Sequence, residues 1–166
     1  MKKIASLFAC LFIAVLAVHA QSTTFRFSMS SDGTGLKIDK YTGDSQYVVI
    51  QAYYDGLPVK EIGDSAFYRS NIISVSIPDT VVYIGHMVFQ ECTNLTTATL
   101  PRDLKYLGYY AFDNCKNLSS LLIKTVNPIT WWHDDYGYPA NVFRNCSNLP
   151  MSTQIQLIKL GYKGKF

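Results

Sequence analysis

Three short runs of the chain alternate apolar and small polar side chains: "IISVSIP" (72–78), "LTTATLP" (95–101) and "LSSLLIK" (118–124). Val75 and Ile77, Ala98 and Leu100, and Leu121 and Ile123 alternate with Ser74 and Ser76, Thr97 and Thr99, and Ser120 and Leu122. A period of two predicts β-strands that pack one wall inward and turn the other outward. Pro78 and Pro101 close the first two runs, because proline has no N–H to give to a ladder.

Between the strands a second pattern recurs. Phe67, Phe89 and Phe112 are separated by 22 and 23 residues, and Ile62-Gly63, Ile84-Gly85 and Leu107-Gly108 precede them. Cys92, Cys115 and Cys146 each follow a Phe by three positions, and the unit reads Ile/Leu-Gly-x-x-Ala/Val-Phe-x-x-Cys-x-Asn-Leu. The first copy departs from the unit, with Ser70 in the cysteine slot. The fourth, at Phe143, comes 31 residues after the third and carries about eight extra residues, among them "WWHDDYGYP". A period near 23 is too short for a helical hairpin and predicts a solenoid of strand-bearing coils, each coil the template for the next. The glycine is expected to turn the chain. The Ala/Val-Phe-x-x-Cys segment is expected to be a short helical or 3₁₀ piece pinned by its Phe and Cys. Asn71, Asn94, Asn117 and Asn148 are expected to bond through their amides to loop backbone of the next coil.

The frame "IGxxAFxxCxxLxxxxLPxxLxxLGxxAF", with "YTGDSQYVVIQAYYDGLPVKEIGDSAF" upstream, resembles the BspA-type (treponemal-type) leucine-rich repeat family from Tyr41 to Leu149. The resemblance implies a leucine-rich-repeat-like solenoid with a parallel strand ladder, about four coils and two caps. It also implies a secreted or surface-displayed adhesin that binds host matrix and plasma proteins or other cells. It carries no catalytic residues.

The ends fit this organisation. Lys2-Lys3, an apolar run from Leu7 to Val18 and the small residues before Gln21 predict a secretory signal peptide over residues 1–20, cleaved after Ala20. Twelve apolar residues fall short of the ~20 that span a bilayer, so no membrane span is expected in the mature chain. Caps are expected at 21–40 and 150–166, and an insertion at about 125–141. Loss of Lys2 and Lys3 lowers the net charge from +3 to +1, too small a field to gather nucleic acid. A monomer is expected. The three cysteines left share one inward position and are expected to be buried free thiols, with a Cys92–Cys115 bridge as the alternative.

Little here resembles catalytic machinery. His133-Asp134-Asp135 are sequence neighbours that cannot easily converge on one ion, and no further His or Cys cluster completes a metal shell. His86 shares a slot with Asp64 and Tyr109 and is expected to be a solvated loop residue. No metal or cofactor is expected, and no enzyme activity. Asn94-Leu95-Thr96, Asn117-Leu118-Ser119 and Asn145-Cys146-Ser147 match the glycosylation sequon, but the first two follow from the repeat itself.

Two surfaces are candidates for binding. One is the outward strand wall, Ser74, Thr97 and Ser120 in one column and Ser76, Thr99 and Leu122 in the next. The other is the insertion, with Trp131, Trp132, Tyr136 and Tyr138, residue types that dominate interface energies. The plainer alternatives are a solvated sheet and a Trp folded back over the last coil. An ice-binding face would need an unbroken Thr-x-Thr ladder, which "SVS" and "SLL" interrupt. A secreted inhibitor or glycan-binding module using the aromatic loop is the alternative function.

Overall fold

The computed structural model describes residues 24–131 and 141–166. The expected signal peptide, Trp132, His133, Asp134, Asp135, Tyr136 and Tyr138 lie outside the described residues.

The chain begins with an antiparallel pair, β1 (Phe25–Met29) against β2 (Leu36–Tyr41). It then winds between two sheets. One contains β1, β2, β5 (Leu57–Ile62), β7 (Tyr83–Ile84), β9 (Tyr106–Leu107) and β11 (Thr130–Trp131), with β4 (Tyr53–Tyr54) paired to β5. The other contains β3 (Tyr47–Val49), β6 (Ser74–Ser76), β8 (Thr97–Leu100) and β10 (Ser120–Ile123) in the order β10-β8-β6-β3. Beyond the β1–β2 and β4–β5 pairs every pairing is parallel and links equivalent residues of successive coils, such as Val75 with Ala98 and Leu121 with Ala98. A nine-residue helix, α1 (Met151–Lys159), closes the C-terminal end.

The repeat's phenylalanines stack as the core. Phe67–Phe89, Phe89–Phe112 and Phe112–Phe143 ring centroids lie 5.0, 4.9 and 5.3 Å apart, and all four rings are buried. Tyr41 extends the stack at one end, 5.0 Å from Phe67, and Phe166 at the other, 6.4 Å from Phe143. Offset aromatic stacking adds about 0.5–1.5 kcal/mol per pair to the burial of the rings themselves.

The three cysteines among the described residues are free and buried. Cys92, Cys115 and Cys146 each donate their thiol to the carbonyl of the preceding coil's phenylalanine, Phe67, Phe89 and Phe112, in every case at 3.1 Å. Burial pushes the Cys115 thiol well above its ordinary pKa and raises Cys146 to about 12. These thiols act as small core side chains with a weak donor.

The segments around each Phe are turns, not the short helical or 3₁₀ pieces expected from sequence. Alternate N–H groups cross to the next coil instead of closing a helix: Ser65, Phe67 and Arg69 donate to the carbonyls of His86, Val88 and Gln90. Met87, Phe89 and Glu91 donate in the same way to Tyr109, Ala111 and Asp113. Ser65, Met87, Arg69, Glu91 and Asn114, whose N–H groups cross in this way, lie at φ between 54° and 63°, and Tyr110 and Asn145 share that left-handed backbone at the equivalent positions. Left-handed backbone costs a side-chain-bearing residue about 1 kcal/mol or more, which the inter-coil bonds offset.

The repeat glycines stand where each short strand gives way to these turns, without left-handed backbone. Gly63, Gly85 and Gly108 are not among the positive-φ residues; they are glycine because the preceding coil presses on them. A Cβ on Gly108 would stand 2.5 Å from the carbonyl of Gly85. The asparagines bond toward the preceding coil: Asn94 donates to the Asn71 side chain and Asn117 to the Thr93 carbonyl at 2.8 Å.

One buried charge ties three coils together. Asp113, fully buried, receives Arg144 Nε and Nη2 at 2.8 Å each and Gln90 Nε2 at 2.9 Å. The Arg144 guanidinium also lies over the Tyr110 ring, 4.9 Å from its centroid.

Candidate interaction surface

The four-stranded sheet turns one face into the core through Val48, Val75, Ala98 and Leu121. Its other face is the wall expected from sequence. Ser74 is half-buried, Ser76, Thr97 and Ser120 are exposed, and Leu122 is 56% exposed. Thr99 departs from the expectation. It is only 8% exposed, because it sits on a central strand with Leu122 directly opposite on β10, so its side chain is covered rather than presented.

Sequence reasoning missed the first rung of this wall. Tyr47 pairs with Ser74 and Val49 with Ser76, and they are 67% and 62% exposed. The alternation in "QYVVIQA" was the available signal, since Val48 and Ile50 are buried between exposed neighbours. The wall therefore has apolar ends, Tyr47 and Val49 at one and Leu122 at the other, with hydroxyls between them. Among the described residues its charge lies at the margin, where Lys124 Nζ reaches Asp79 at 3.2 Å and Arg102 reaches the same carboxylate at 3.8 Å. The backbone N–H of Arg102 and these two cations hold the Asp79 carboxyl below its usual pKa.

Trp131 is not at the rim of the wall. It pairs with Leu107 across β11 and β9, and so fills the core slot that Ile62, Ile84 and Leu107 fill in the other coils. Its ring packs on Tyr162 at 5.1 Å and edge-on to Phe143, and its indole N–H donates to the Leu160 carbonyl at 2.8 Å. At 7% exposure it caps the last coil, and the expected contact role for Trp131 is corrected accordingly. The physical reason is that the coil needs one large apolar group at this rung, and tryptophan supplies it where the aliphatic residue is missing.

The opposite sheet carries a second aromatic surface. Tyr83 and Tyr106 stack face to face at 4.4 Å, and His86 stacks on Tyr109 at 4.1 Å. All four are half-buried, so His86 is not the solvated loop residue expected. Its backbone N–H donates to Asp64 at 2.8 Å, and its Nδ1 accepts the Tyr109 N–H at 3.2 Å. Burial lowers the imidazole pKa, and the Asp64 carboxylate opposes this in part. The recurrence of Tyr one residue before Ile/Leu-Gly was the sequence signal for this column.

Among the described residues no three His, Cys, Asp or Glu side chains gather as a metal site, and no helix is long and apolar enough to cross a membrane.

A β-solenoid with equivalent residues stacked coil on coil and an outward parallel wall defines the leucine-rich-repeat class of protein. The chain belongs to the BspA-type leucine-rich repeat family: the profile of the "BspA type Leucine rich repeat region" matches residues 60–157 in 6 copies. Solved structures agree on the fold. A leucine rich repeat protein of T. pallidum is 23% identical with a TM-score of 0.61, covering 87% of this chain and 97% of its own. A leucine rich cell surface protein of Faecalibacterium prausnitzii is 28% identical with a TM-score of 0.61; the match covers 78% of this chain but 34% of that one. A leucine-rich repeat protein of Bacteroides capillosus is 31% identical with a TM-score of 0.54, over 60% of this chain and 77% of that one. No curated protein sequence matches the chain significantly.

Proposed function

We propose that the protein is a secreted or cell-surface, adhesin-type module that binds host extracellular matrix proteins, host surface proteins or other cells and performs no catalysis. The signal peptide is removed after Ala20, and the mature chain acts as a monomer. Ligand contact is made by the outward wall, through Tyr47, Val49, Ser76, Thr97, Ser120 and Leu122, and by Trp132, Tyr136 and Tyr138 of the insertion.

The observation that carries this reading is the character of the wall. Three exposed apolar side chains flank a band of small hydroxyls with no charge among them, on a rigid ladder whose other face is core. Charge depletion with aromatic and aliphatic anchors is what distinguishes the centre of a protein interface from ordinary surface. A preformed sheet also loses little entropy on binding. Membership of this repeat family and the likeness to a solved leucine rich cell surface protein support the same reading.

The test is a solid-phase binding assay of the chain from Gln21 onward against immobilised matrix proteins and intact cells. Saturable binding that Thr97→Arg abolishes at unchanged melting temperature is expected, since a long charge at the centre of the wall blocks contact without touching the core. Binding that survives Thr97→Arg refutes the assignment of the wall.

A further inference from the structure

The helix that closes the solenoid is apolar on two sides. Inward, Leu157 is fully buried, its carbonyl accepts the Tyr162 N–H at 3.1 Å, and the Leu160 carbonyl accepts the Trp131 indole N–H. These contacts fasten α1 to the last coil. Outward, Met151, Ile155 and Ile158 are 70%, 47% and 55% exposed. They stand at i, i+4 and i+7, which 3.6 residues per turn bring within about 60° of one another as one stripe. Single exposed apolar residues are ordinary on a surface; three aligned along one helix face are not.

The charge around the stripe has one sign. From Asn141 to Phe166 the sequence holds Arg144, Lys159, Lys163 and Lys165 and no Asp or Glu. Arg144 is engaged with Asp113. Lys159, Lys163 and Lys165 are exposed and form no ion pair with a described residue. Lys159 lies in the last turn of α1, about 40° round the helix from Ile155, and the first turn has no acid to offset it.

We propose that α1 is an interfacial anchor, which lays Met151, Ile155 and Ile158 into the surface of a bilayer with anionic headgroups while Lys159, Lys163 and Lys165 meet those headgroups. An apolar stripe bordered by cations is the pattern of helices that lie in a membrane interface. A two-fold contact with a second copy would set one positive end against another. A protein partner is disfavoured because the stripe is narrow and convex, is flanked by Ser152 and Gln156, and lacks the aromatic or arginine anchor at the centre of a protein interface. A fluid surface needs neither. At nine residues the helix is far short of the ~20 that cross a bilayer, so it lies along the surface. The stripe shares no residue with the four-stranded wall, so lipid and a protein partner do not compete for the same side chains.

The test is flotation of the chain from Gln21 onward with vesicles of phosphatidylcholine, with and without phosphatidylglycerol. Binding should be about tenfold or more tighter when phosphatidylglycerol is present. Replacing Lys159, Lys163 and Lys165 together by glutamine should weaken it about 100-fold, about fivefold for each cation near the surface. Ile158→Glu should abolish it, and Lys116→Gln, at an exposed residue in another coil, should leave it unchanged. Because every altered side chain is exposed, the variants should keep the parent's melting temperature. Absence of flotation with phosphatidylglycerol, equal flotation without it, or undiminished flotation of folded Ile158→Glu would each overturn the proposal. A dimer in sedimentation equilibrium that Ile158→Glu dissolves would assign the stripe to a second copy instead. Capture of a matrix protein that Ile158→Glu abolishes, with no vesicle binding, would assign it to a protein partner.

Discussion

Replacing Gly108 by alanine tests the coil-on-coil packing where backbone presses directly on backbone. The added Cβ would stand 2.5 Å from both the carbonyl carbon and oxygen of Gly85 and 2.6 Å from the His86 nitrogen. Ordinary contact begins at 3.4 Å, so the two coils must separate by about 0.9 Å at this rung, in an interior that is otherwise close-packed. All three obstructing atoms are backbone, so no side chain can rotate away. The Gly108 N–H bond to the Ile84 carbonyl, 2.9 Å long, would stretch beyond bonding distance if the whole shift fell on it. Overpacking of this kind costs about 1–3 kcal/mol and a lost ladder bond about 1. The stiffer unfolded chain returns about 0.4–1. The net is a loss of about 2–3 kcal/mol, a fall of about 5–10 °C in melting temperature for a domain of this size. Gly63→Ala is the internal control. Its Cβ meets the Ile38 carbonyl at 3.1 Å, a clash that a few tenths of an ångström relieve, and its cost should stay below about 1 kcal/mol. Thermal denaturation followed by circular dichroism gives both numbers. Equal melting temperatures for the two variants would refute the close-contact explanation of the glycine column.

Other expectations follow from the same geometry. Phe89→Ala, at the centre of the ring stack, should cost about 3–5 kcal/mol in denaturant titration, and a loss below ~1 would mean that the stack is not the core. Without reductant, the mature chain should show no thiol reactive toward Ellman's reagent when native and three when unfolded; a Cys92–Cys115 crosslink seen by mass spectrometry would contradict the thiol-to-carbonyl bonds. Arg144→Met should cost about 2–3 kcal/mol, since it strips a charged partner from buried Asp113, and a neutral effect would show that Gln90 alone suffices. The folded-state pKa of His86 is lowered, so the unfolded chain takes up the proton first. Its contribution to stability is complete above the ordinary imidazole value of about 6.5 and is lost as pH falls below it toward the folded pKa. Melting temperature should decline over that window in the parent and less in His86→Gln; parallel curves would remove His86 from the explanation.

Much of the architecture was legible because a solenoid writes each contact once per coil. The spacing of Phe67, Phe89, Phe112 and Phe143 gave the ring stack, and the shared cysteine position gave the buried thiols. What was not legible depends on neighbours rather than on local sequence. Met87 and Glu91 carry none of the glycine or asparagine signature of left-handed backbone, since hydrogen bonds to the next coil hold them there. Trp131 was misplaced because it replaces the aliphatic residue of the Ile/Leu-Gly pair, and the residue after it is Trp132 rather than glycine. The repeat therefore read as broken from Lys124 onward, although β11 continues the ladder. Tyr47 and Val49 were passed over because their coil lacks the Phe-x-x-Cys frame that fixed the register elsewhere.

The reading of the four-stranded wall as the protein-binding face is tested most directly by hydroxyl-radical footprinting of the mature chain, alone and with a matrix or cell-surface protein that it captures. Tyr47 and Leu122, both more than half exposed in the free chain, should lose reactivity in the complex, while Tyr83 and Tyr106 on the other sheet keep theirs. Unchanged oxidation at Tyr47 and Leu122 in a saturated complex, with protection elsewhere, would contradict it.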